Sequence, residues 1–174
     1  MAQNNGYTLT EVIIVVAILG IFASIIIPSF APAKLSQLEL AVSEIADAIR
    51  FARSEAIRTN YPHGVEVNTV TKTIRVISVD TSAAPITTLN YDVYHPINKH
   101  LYTIDLNSHT GSDVTSINMN STYSSTCNKI NIIIFDENGA PFCSDPYPIP
   151  LVMSTLTLNL ENHSQTIQVT GGTS

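Results

Sequence analysis

The segment GYTLTEVIIVVAILGIFASIIIPSF, residues 6–30, is apolar over most of its length. It decides how the function of the whole chain is interpreted. Only Gly20 and Ser24 interrupt the run of aliphatic and aromatic side chains that follows Glu11. A helix needs about 20 apolar residues to cross the hydrocarbon core of a bilayer. The lack of charge after Glu11 suits that environment, because a buried charge costs about 2.5–3.5 kcal/mol there. The segment therefore predicts a transmembrane helix over residues 7–30.

Glu11 is the residue that does not fit this apolar environment, because a carboxylate at the start of such a helix is costly unless a positive group meets it. The nearest basic side chain along the sequence belongs to Lys34, beyond the far end of the apolar run. If the chain were cut after Gly6, Tyr7 would become the first residue and would carry a free amine. Glu11 would then be the fifth residue, and the new amine could neutralise its carboxylate.

The sequence G-Y-T-L-T-E before an apolar helix resembles the class III signal of type IV pilins and type II secretion pseudopilins. That signal has a short leader ending in Gly, an aromatic first mature residue and Glu at mature position five. The resemblance implies a leader of residues 1–6, cleavage between Gly6 and Tyr7 by a prepilin peptidase, and N-methylation of Tyr7. It also implies that Glu11 contacts the N-terminal amine of a neighbouring subunit in a filament. Pro28 falls where the family usually has a helix-kinking proline.

Two features differ from the usual pattern of this signal. Residues 1–6, MAQNNG, contain no Lys or Arg, so the positive charge that normally orients such a helix is missing on the short side. Tyr7 also replaces the usual Phe. The alternatives are an ordinary secretory signal peptide and a simple membrane anchor. A secretory peptide requires a basic n-region and an A-x-A-like cleavage site, and Glu11 suits neither alternative.

A second helix is predicted over residues 33–60, directly after the apolar segment. Pro28 and Pro32 precede it, and we expect a kink there because each proline lacks an N–H and crowds the preceding turn. Apolar residues then recur at alternating spacings of three and four, which is typical of one face of a helix. This apolar face favours packing on a sheet over pairing with a coiled-coil partner. The face comprises Leu35, Leu38, Val42, Ile45, Ile49, Ala52 and Ala56.

The end of the second helix carries another resemblance. Residues 51–62, FARSEAIRTNYP, resemble the A-R-S-E-A-I-R-x-N-x-P signature of the GspH/FimT family, which contains minor pseudopilins of type II secretion and FimT-like minor pilins. The piece IIIFDENGAP is similar to the F-D-x-x-G element of that family. The family often ends in a Gly-Arg-x-Arg-type strand, whereas this chain ends in TGGTS, without arginine.

The remainder of the chain shows period-two patterns typical of strands. Residues 64–70 and 73–79 predict an antiparallel hairpin, and residues 151–160 and 165–170 predict a terminal one. Further strands are predicted at residues 89–94, 97–106 and 129–136. Residues 116–126 are interpreted as a polar loop, residues 137–139 as a turn, and the stretch holding Pro146, Pro148 and Pro150 as an irregular connection.

These elements predict an α+β, type IV pilin-like fold. Its long N-terminal helix has a membrane half, residues 7–30, and an amphipathic half. The resemblance also places the membrane half in a filament core. The amphipathic half packs on an antiparallel β-sheet domain over residues 62–174, within a periplasmic globular domain of residues 31–174.

The two cysteines, Cys127 and Cys143, do not have the close spacing of metal ligands. In a domain exported from the cytoplasm such a pair predicts a disulfide, the alternative being two free buried thiols. The formal net charge of the 174-residue chain is −6. An acidic chain without basic runs has no general attraction for DNA phosphates, and this argues against direct nucleic-acid binding.

No catalytic motif is present, because the sequence lacks G-x-S-x-G, a P-loop and H-E-x-x-H. The five histidines are scattered. Asp136, Glu137 and Asn138 offer oxygen atoms for calcium, but a β-turn is the favoured interpretation because the acidic run of a dedicated calcium loop is missing. The sequence therefore predicts a protein that is not an enzyme, with no metal and no cofactor.

The interpretation that unites these features is a minor pilin or pseudopilin of a type II secretion pseudopilus or a type IV pilus. Expected partners are other pilins, prepilin peptidase and the inner-membrane assembly platform. The expected location is the bacterial inner membrane, crossed once, with the globular domain in the periplasm. The alternatives are a FimT-like minor pilin in DNA uptake, a major pilin, a membrane-tethered ligand-binding module and a DNA receptor. The choice between the secretion system and the pilus stays open.

Overall fold

The computed structural model describes residues 7–26, 34–81, 89–109, 114–128, 131–143, 145 and 148–171. The chain divides into two compact units, Met1–Ala33 and Lys34–Ser174, and each is described by itself. Gly6, with the rest of the expected leader, lies outside the described residues. The kink expected at Pro28 and Pro32 does so as well.

The first unit contains helix α1, Leu9–Ile26. Its side chains from Leu9 to Phe22 are exposed on all sides of the helix. None of the helices that can be described has both the length and the apolar composition of a membrane span.

The second unit begins with helix α2, Lys34–Thr59. One face of this helix is buried, and five of the seven predicted apolar positions lie on it. Leu35 was predicted to belong to this face but is 42 % exposed, and Val42 is only partly buried. Alanines take their place, and small side chains bring a helix backbone closer to the layer beneath it. The fully buried residues of α2 are Leu38, Ala41, Ile45, Ala48, Ala52 and Ala56.

The end of α2 is set by a left-handed residue. Asn60 has a φ of 52°, and the N–H of Tyr61 donates to the carbonyl of Ala56 at 3.3 Å. This arrangement is a Schellman cap, in which the residue after the helix turns left-handed and the following amide returns to the last turn. The cap ends the helix one residue before the predicted end at position 60.

The described strands of the second unit all pair antiparallel, and the prediction of an α+β fold with a helix packed on an antiparallel sheet is confirmed. Their bounds are β1 His63–Asn68, β2 Thr73–Val79, β3 Leu89–Asn90, β4 Thr103–Asp105, β5 Val114–Tyr123, β6 Ile132–Phe135, β7 Pro141–Cys143, β8 Ile149–Leu160 and β9 His163–Thr170. A short helix, α3, Leu106–His109, follows β4.

The strands follow the order β3-β2-β1-β6-β7-β8-β5, with β4 beside β2 and β9 beside β8. The two predicted hairpins, β1–β2 and β8–β9, are confirmed. Strand β8 joins the two parts of the sheet. Its first residues, Ile149 and Pro150, pair with β7, and the rest of the strand lies between β5 and β9.

Three sequence-based assignments are wrong. Residues 116–126 were predicted to be a loop, but β5 covers most of them. The alternation in β5 is hidden because Ser121 takes an inward position beside Ile117 and Met119, and its hydroxyl lies 2.7 Å from that of buried Ser154. Pro150 was placed in an irregular connection but belongs to β8.

The third wrong assignment concerns the strands predicted at residues 89–94 and 97–106. Only the short strands β3 and β4 form there, and α3 begins where the second strand was expected to end. Asp105 explains that change, because its Oδ1 accepts the N–H of Asn107 at 3.0 Å and so favours a helical turn.

Strand β6 is central to the core because both of its faces are buried. Ile133 and Phe135 belong to the main apolar cluster with α2, while Ile132 and Ile134 belong to a second cluster on the opposite face of the sheet. Burial on both faces explains why its sequence is a continuous apolar run without alternation. Gly64 of β1 lies against this strand, and a Cβ there would be 2.5 Å from the carbonyl oxygen of Ile133.

Candidate functional site

The start of α1 carries the residues that sequence analysis assigned to processing and assembly. Thr8 precedes the helix, and its Oγ1 accepts the N–H of Glu11 at 3.4 Å. In return, Oε2 of Glu11 accepts the backbone N–H and the hydroxyl of Thr8, both at 3.5 Å. This reciprocal arrangement is a capping box, in which the third helical residue returns to the N-cap.

The capping box gives Glu11 a role within its own chain. A carboxylate in the first turn also interacts favourably with the positive end of the helix dipole. Contacts of 3.5 Å are at the long limit of hydrogen bonding, so they hold the carboxylate only weakly. The partners predicted for Glu11 were N-terminal amines, and a hydrogen-bonding role at the start of its own helix was not predicted. The T-x-x-E spacing of Thr8 and Glu11 is the signal that would have indicated the cap.

An exposed groove runs along α1 from this point. It has a volume of about 370 Å³, and Tyr7, Glu11, Val12, Val15 and Val16 line it. Tyr7 is 84 % exposed. The groove therefore places one carboxylate at the end of an apolar surface.

A second notable region joins the end of α2 to the turn between β6 and β7. Oδ1 of Asp136 accepts the N–H of Asn138 at 2.9 Å and of Ala140 at 2.7 Å, which folds the predicted turn tightly. Gly139 in this turn has a φ of 76°. A Cβ added to it would lie 2.8 Å from Cδ1 of Ile57 and 3.0 Å from Nε of Arg53.

The two pieces quoted separately for the GspH/FimT resemblance therefore touch. Arg53 and Ile57 belong to FARSEAIRTNYP, and Gly139 belongs to the F-D-E-N-G piece. Glycine suits this position for two reasons, because the backbone is left-handed and the helix side chains lie where a side chain would project. The contact indicates that both pieces shape one junction between helix and sheet.

Two ion pairs flank this junction on the exposed side of α2. Arg58 binds both carboxylate oxygens of Glu55, with Nε 2.9 Å from Oε2. The hydrogen bond from Arg58 lowers the pKa of Glu55, and the pair raises the pKa of Arg58 in turn. Arg50 forms a similar contact with Asp47 at 2.8 Å. The Arg50–Asp47 pair is a solvated helix contact of modest stabilising value, whereas the Glu55 side chain is only 18 % exposed.

The predicted disulfide between Cys127 and Cys143 is confirmed, with a Cα–Cα distance of 6.1 Å. Cys143 is the last residue of β7 and is buried, whereas Cys127 lies in the loop after β5. The bond therefore ties the end of the outer strand β5 to the centre of the sheet.

The calcium alternative near Asp136 depends on oxygen atoms that are available to a cation. One carboxylate oxygen of Asp136 already accepts two backbone amides, as described above. Among the residues described in the structure, no group of three or more His, Cys, Asp or Glu side chains comes together.

His63 is buried in β1, where its Nδ1 lies 2.7 Å from the carbonyl oxygen of Tyr61.

Comparison with known families supports the interpretation of the N-terminal residues. Residues 1–27 match the family model described as the prokaryotic N-terminal methylation motif. The chain carries a type IV pilin-like prepilin signal. This methylation motif belongs to a structural rather than an enzymatic class, and it implies prepilin peptidase processing, pilin-family partners and a membrane-anchored place in the cell envelope. No curated protein and no solved structure matches the chain.

Proposed function

We propose that the chain is a minor pilin or pseudopilin of the GspH/FimT type, a structural subunit of a type II secretion pseudopilus or a type IV pilus. The observation that carries this proposal is the methylation motif, which puts Glu11 at the start of an exposed apolar helix. The FARSEAIRTNYP signature favours a minor component over a major pilin, because the family that it resembles contains minor pilins and minor pseudopilins.

In this proposal prepilin peptidase cuts between Gly6 and Tyr7, and the new amine of Tyr7 is methylated. The helix of residues 7–30 first anchors the subunit in the inner membrane, with residues 31–174 in the periplasm, and then enters the filament core. There the carboxylate of Glu11 contacts the Tyr7 amine of a neighbouring subunit. Attraction between opposite charges is strongest where water is excluded, so the contact selects the position in which a subunit is added.

The geometry of the capping box yields a sharp test of this step. Glu11→Gln keeps a side chain that completes a capping box but removes the charge. Thr8→Val removes the capping hydroxyl but keeps the carboxylate of Glu11. A charge-assisted hydrogen bond contributes about 1.5–3 kcal/mol, so we expect Glu11→Gln to reduce incorporation by at least about tenfold.

Incorporation is measured by pull-down with the other pilins of the same system after membrane isolation. Glu11→Ala and Glu11→Leu are expected to stay in the membrane and to show the same defect. Glu39→Gln, a change at an exposed acid on α2, is the matched control and should be incorporated normally. Normal incorporation of Glu11→Gln together with failure of Thr8→Val would show that the cap, not the charge, matters.

Processing is tested separately by co-expressing the chain with prepilin peptidase. We expect a mobility shift that corresponds to loss of residues 1–6, and no shift in Gly6→Leu. A membrane-tethered ligand-binding module would not be trimmed at this position. The DNA-uptake alternative is tested by salt-dependent binding of the full chain to duplex DNA, which we expect to be absent.

A further inference from the structure

The exposed edges of the sheet differ in how well they are protected against pairing with another chain. An open edge strand presents free N–H and C=O groups, and proteins usually block it with short strands, bulges, charges or proline. Strands β3 and β4 are only two and three residues long. Strand β5 has register shifts at Val114/Ser116 and at Thr122/Tyr123. These edges therefore resist the addition of a further strand.

Strand β9 has none of these protections. It is eight residues long, HSQTIQVT, and contains no charged residue and no proline. All of it pairs with β8 without a register shift, from Leu160↔His163 to Met153↔Thr170. Within the described part of the chain, β8 is its only strand partner. Its free edge is therefore long, regular and uncharged.

The order of the strands leaves the second edge of β9 without a strand partner among the described residues. Strands β7 and β9 follow each other along the same edge of β8, because β5 occupies the opposite edge. Beyond β7 the next position is filled by β6. Beyond β9 no described strand pairs in the equivalent position.

A cleft of about 360 Å³ lies at the C-terminal end of β9, formed by Gln168–Thr170, the β6–β7 turn and α2. Arg50 and Arg53 line it from the helix, and Asn138 lines it from the turn. None of the described residues that line the cleft is acidic, although the chain has a net charge of −6. The cleft thus places two guanidinium groups, one of them paired with Asp47, beside an open strand edge.

The side chain of Arg53 is positioned by the junction described above. Cγ and Nε of Arg53 would lie 3.2 and 3.0 Å from a Cβ at Gly139, so its stem runs close over the turn. Arg50 is held by Asp47 but keeps a side chain that is 75 % exposed. An arginine keeps donors free beyond one contact, since its guanidinium carries five N–H groups.

We propose that the free edge of β9 receives an extended strand from a partner protein, and that an acidic side chain of this strand enters the cleft lined by Arg50 and Arg53. Backbone hydrogen bonds to β9 supply most of the affinity, as in other cases of strand addition. The arginines supply the preference for a carboxylate. A second copy of β9 fits less well, because it contains no acidic residue to fill the cleft.

The inner face of β9 adds a second preference. Ile167 and Val169 are partly buried against the main core and alternate with exposed polar residues. Residues of an added strand that lie beside them point towards the same apolar layer. The partner strand is therefore expected to alternate apolar and polar residues. This surface belongs to the β domain and does not depend on the role of the N-terminal segment in assembly.

The test uses the full chain in detergent micelles and a fluorescent eight-residue peptide of alternating valine and threonine that ends in glutamate and has an amidated C-terminus, so that glutamate supplies its only carboxylate. Binding is measured by fluorescence polarisation. We expect Arg50→Gln combined with Arg53→Gln to weaken binding by at least about tenfold, and a peptide with glutamine in place of glutamate to show a similar loss. Arg58→Gln, outside the cleft on the same helix, is the matched control and should bind the peptide normally.

Strand pairing is tested with two further peptides, each N-methylated at every second residue. An added strand uses the amides of alternate residues, so one methylation pattern should abolish binding and the other should not. Equal effects of both patterns, or binding that ignores the arginine changes, would overturn the proposal. The proposal would also be overturned if the full chain formed dimers in which β9 is protected from hydrogen exchange. The strand added to β9 would then come from a second copy of the chain.

Discussion

Replacing Gly139 by alanine probes the junction between α2 and the β6–β7 turn. Its backbone φ of 76° is a conformation that costs a residue with a Cβ about 1–2 kcal/mol. The new methyl group would also lie 2.8 Å from Cδ1 of Ile57 and 3.0 Å from Nε of Arg53. Both neighbours are side chains that can move, at a cost of about 0.5–1.5 kcal/mol for an off-rotamer angle. We therefore expect Gly139→Ala to lower the free energy of unfolding by about 1.5–3 kcal/mol.

The two contributions are separated by a double-mutant cycle. Ile57→Ala removes the closest neighbour, and Ile57 is 51 % exposed, so this change alone should cost little. In the Ile57→Ala background, Gly139→Ala should lower the free energy of unfolding by less than it does in the natural chain. The decrease that remains measures the cost of the left-handed backbone. Gly139→Asn is the matched backbone control, because asparagine tolerates the left-handed conformation better than alanine does.

The assay is urea unfolding of the full chain in detergent micelles, followed by near-ultraviolet circular dichroism of the tyrosines. Tyr102 and Tyr123 are partly or fully buried in the β domain and report its packing. A Gly139→Ala variant as stable as the natural chain would contradict this explanation. So would a cost that is unchanged by Ile57→Ala and equal to that of Gly139→Asn.

Three further predictions test other parts of the domain. Replacing Cys127 and Cys143 by alanine should lower the free energy of unfolding by about 3 kcal/mol, from a sequence separation of 16; an unchanged urea midpoint would contradict this. Gly64→Ala should cost about 1–3 kcal/mol or prevent folding, because backbone rather than a mobile side chain blocks its Cβ; native stability in the same assay would contradict this. Arg58→Gln should raise the pKa of Glu55 towards 4.5, measured by carboxyl NMR titration. Because folding lowers the pKa of Glu55, its pair with Arg58 stabilises the folded state above pH 4.5. This stabilisation is lost as the pH falls through the pKa of Glu55 in the folded protein.

Features that depend on neighbours in the sequence could be predicted from the sequence alone. The methylation motif is a continuous stretch, α2 follows from a helical period, and the two hairpins follow from alternation around turn residues. The disulfide could be predicted because the chain has only one pair of cysteines. The capping box of Thr8 and Glu11 was equally readable but was missed, because the charge of Glu11 drew the interpretation to another subunit.

Features that depend on distant parts of the chain were decided by the tertiary structure. Strand β5 looks like a polar loop because the partner of inward Ser121 is Ser154, and this pairing exists only after β5 meets β8. Gly139 and Arg53 are far apart in sequence and meet only when α2 packs on the sheet. The open edge of β9 is likewise invisible in its eight residues, because whether a strand has one neighbour or two depends on how the whole sheet is ordered.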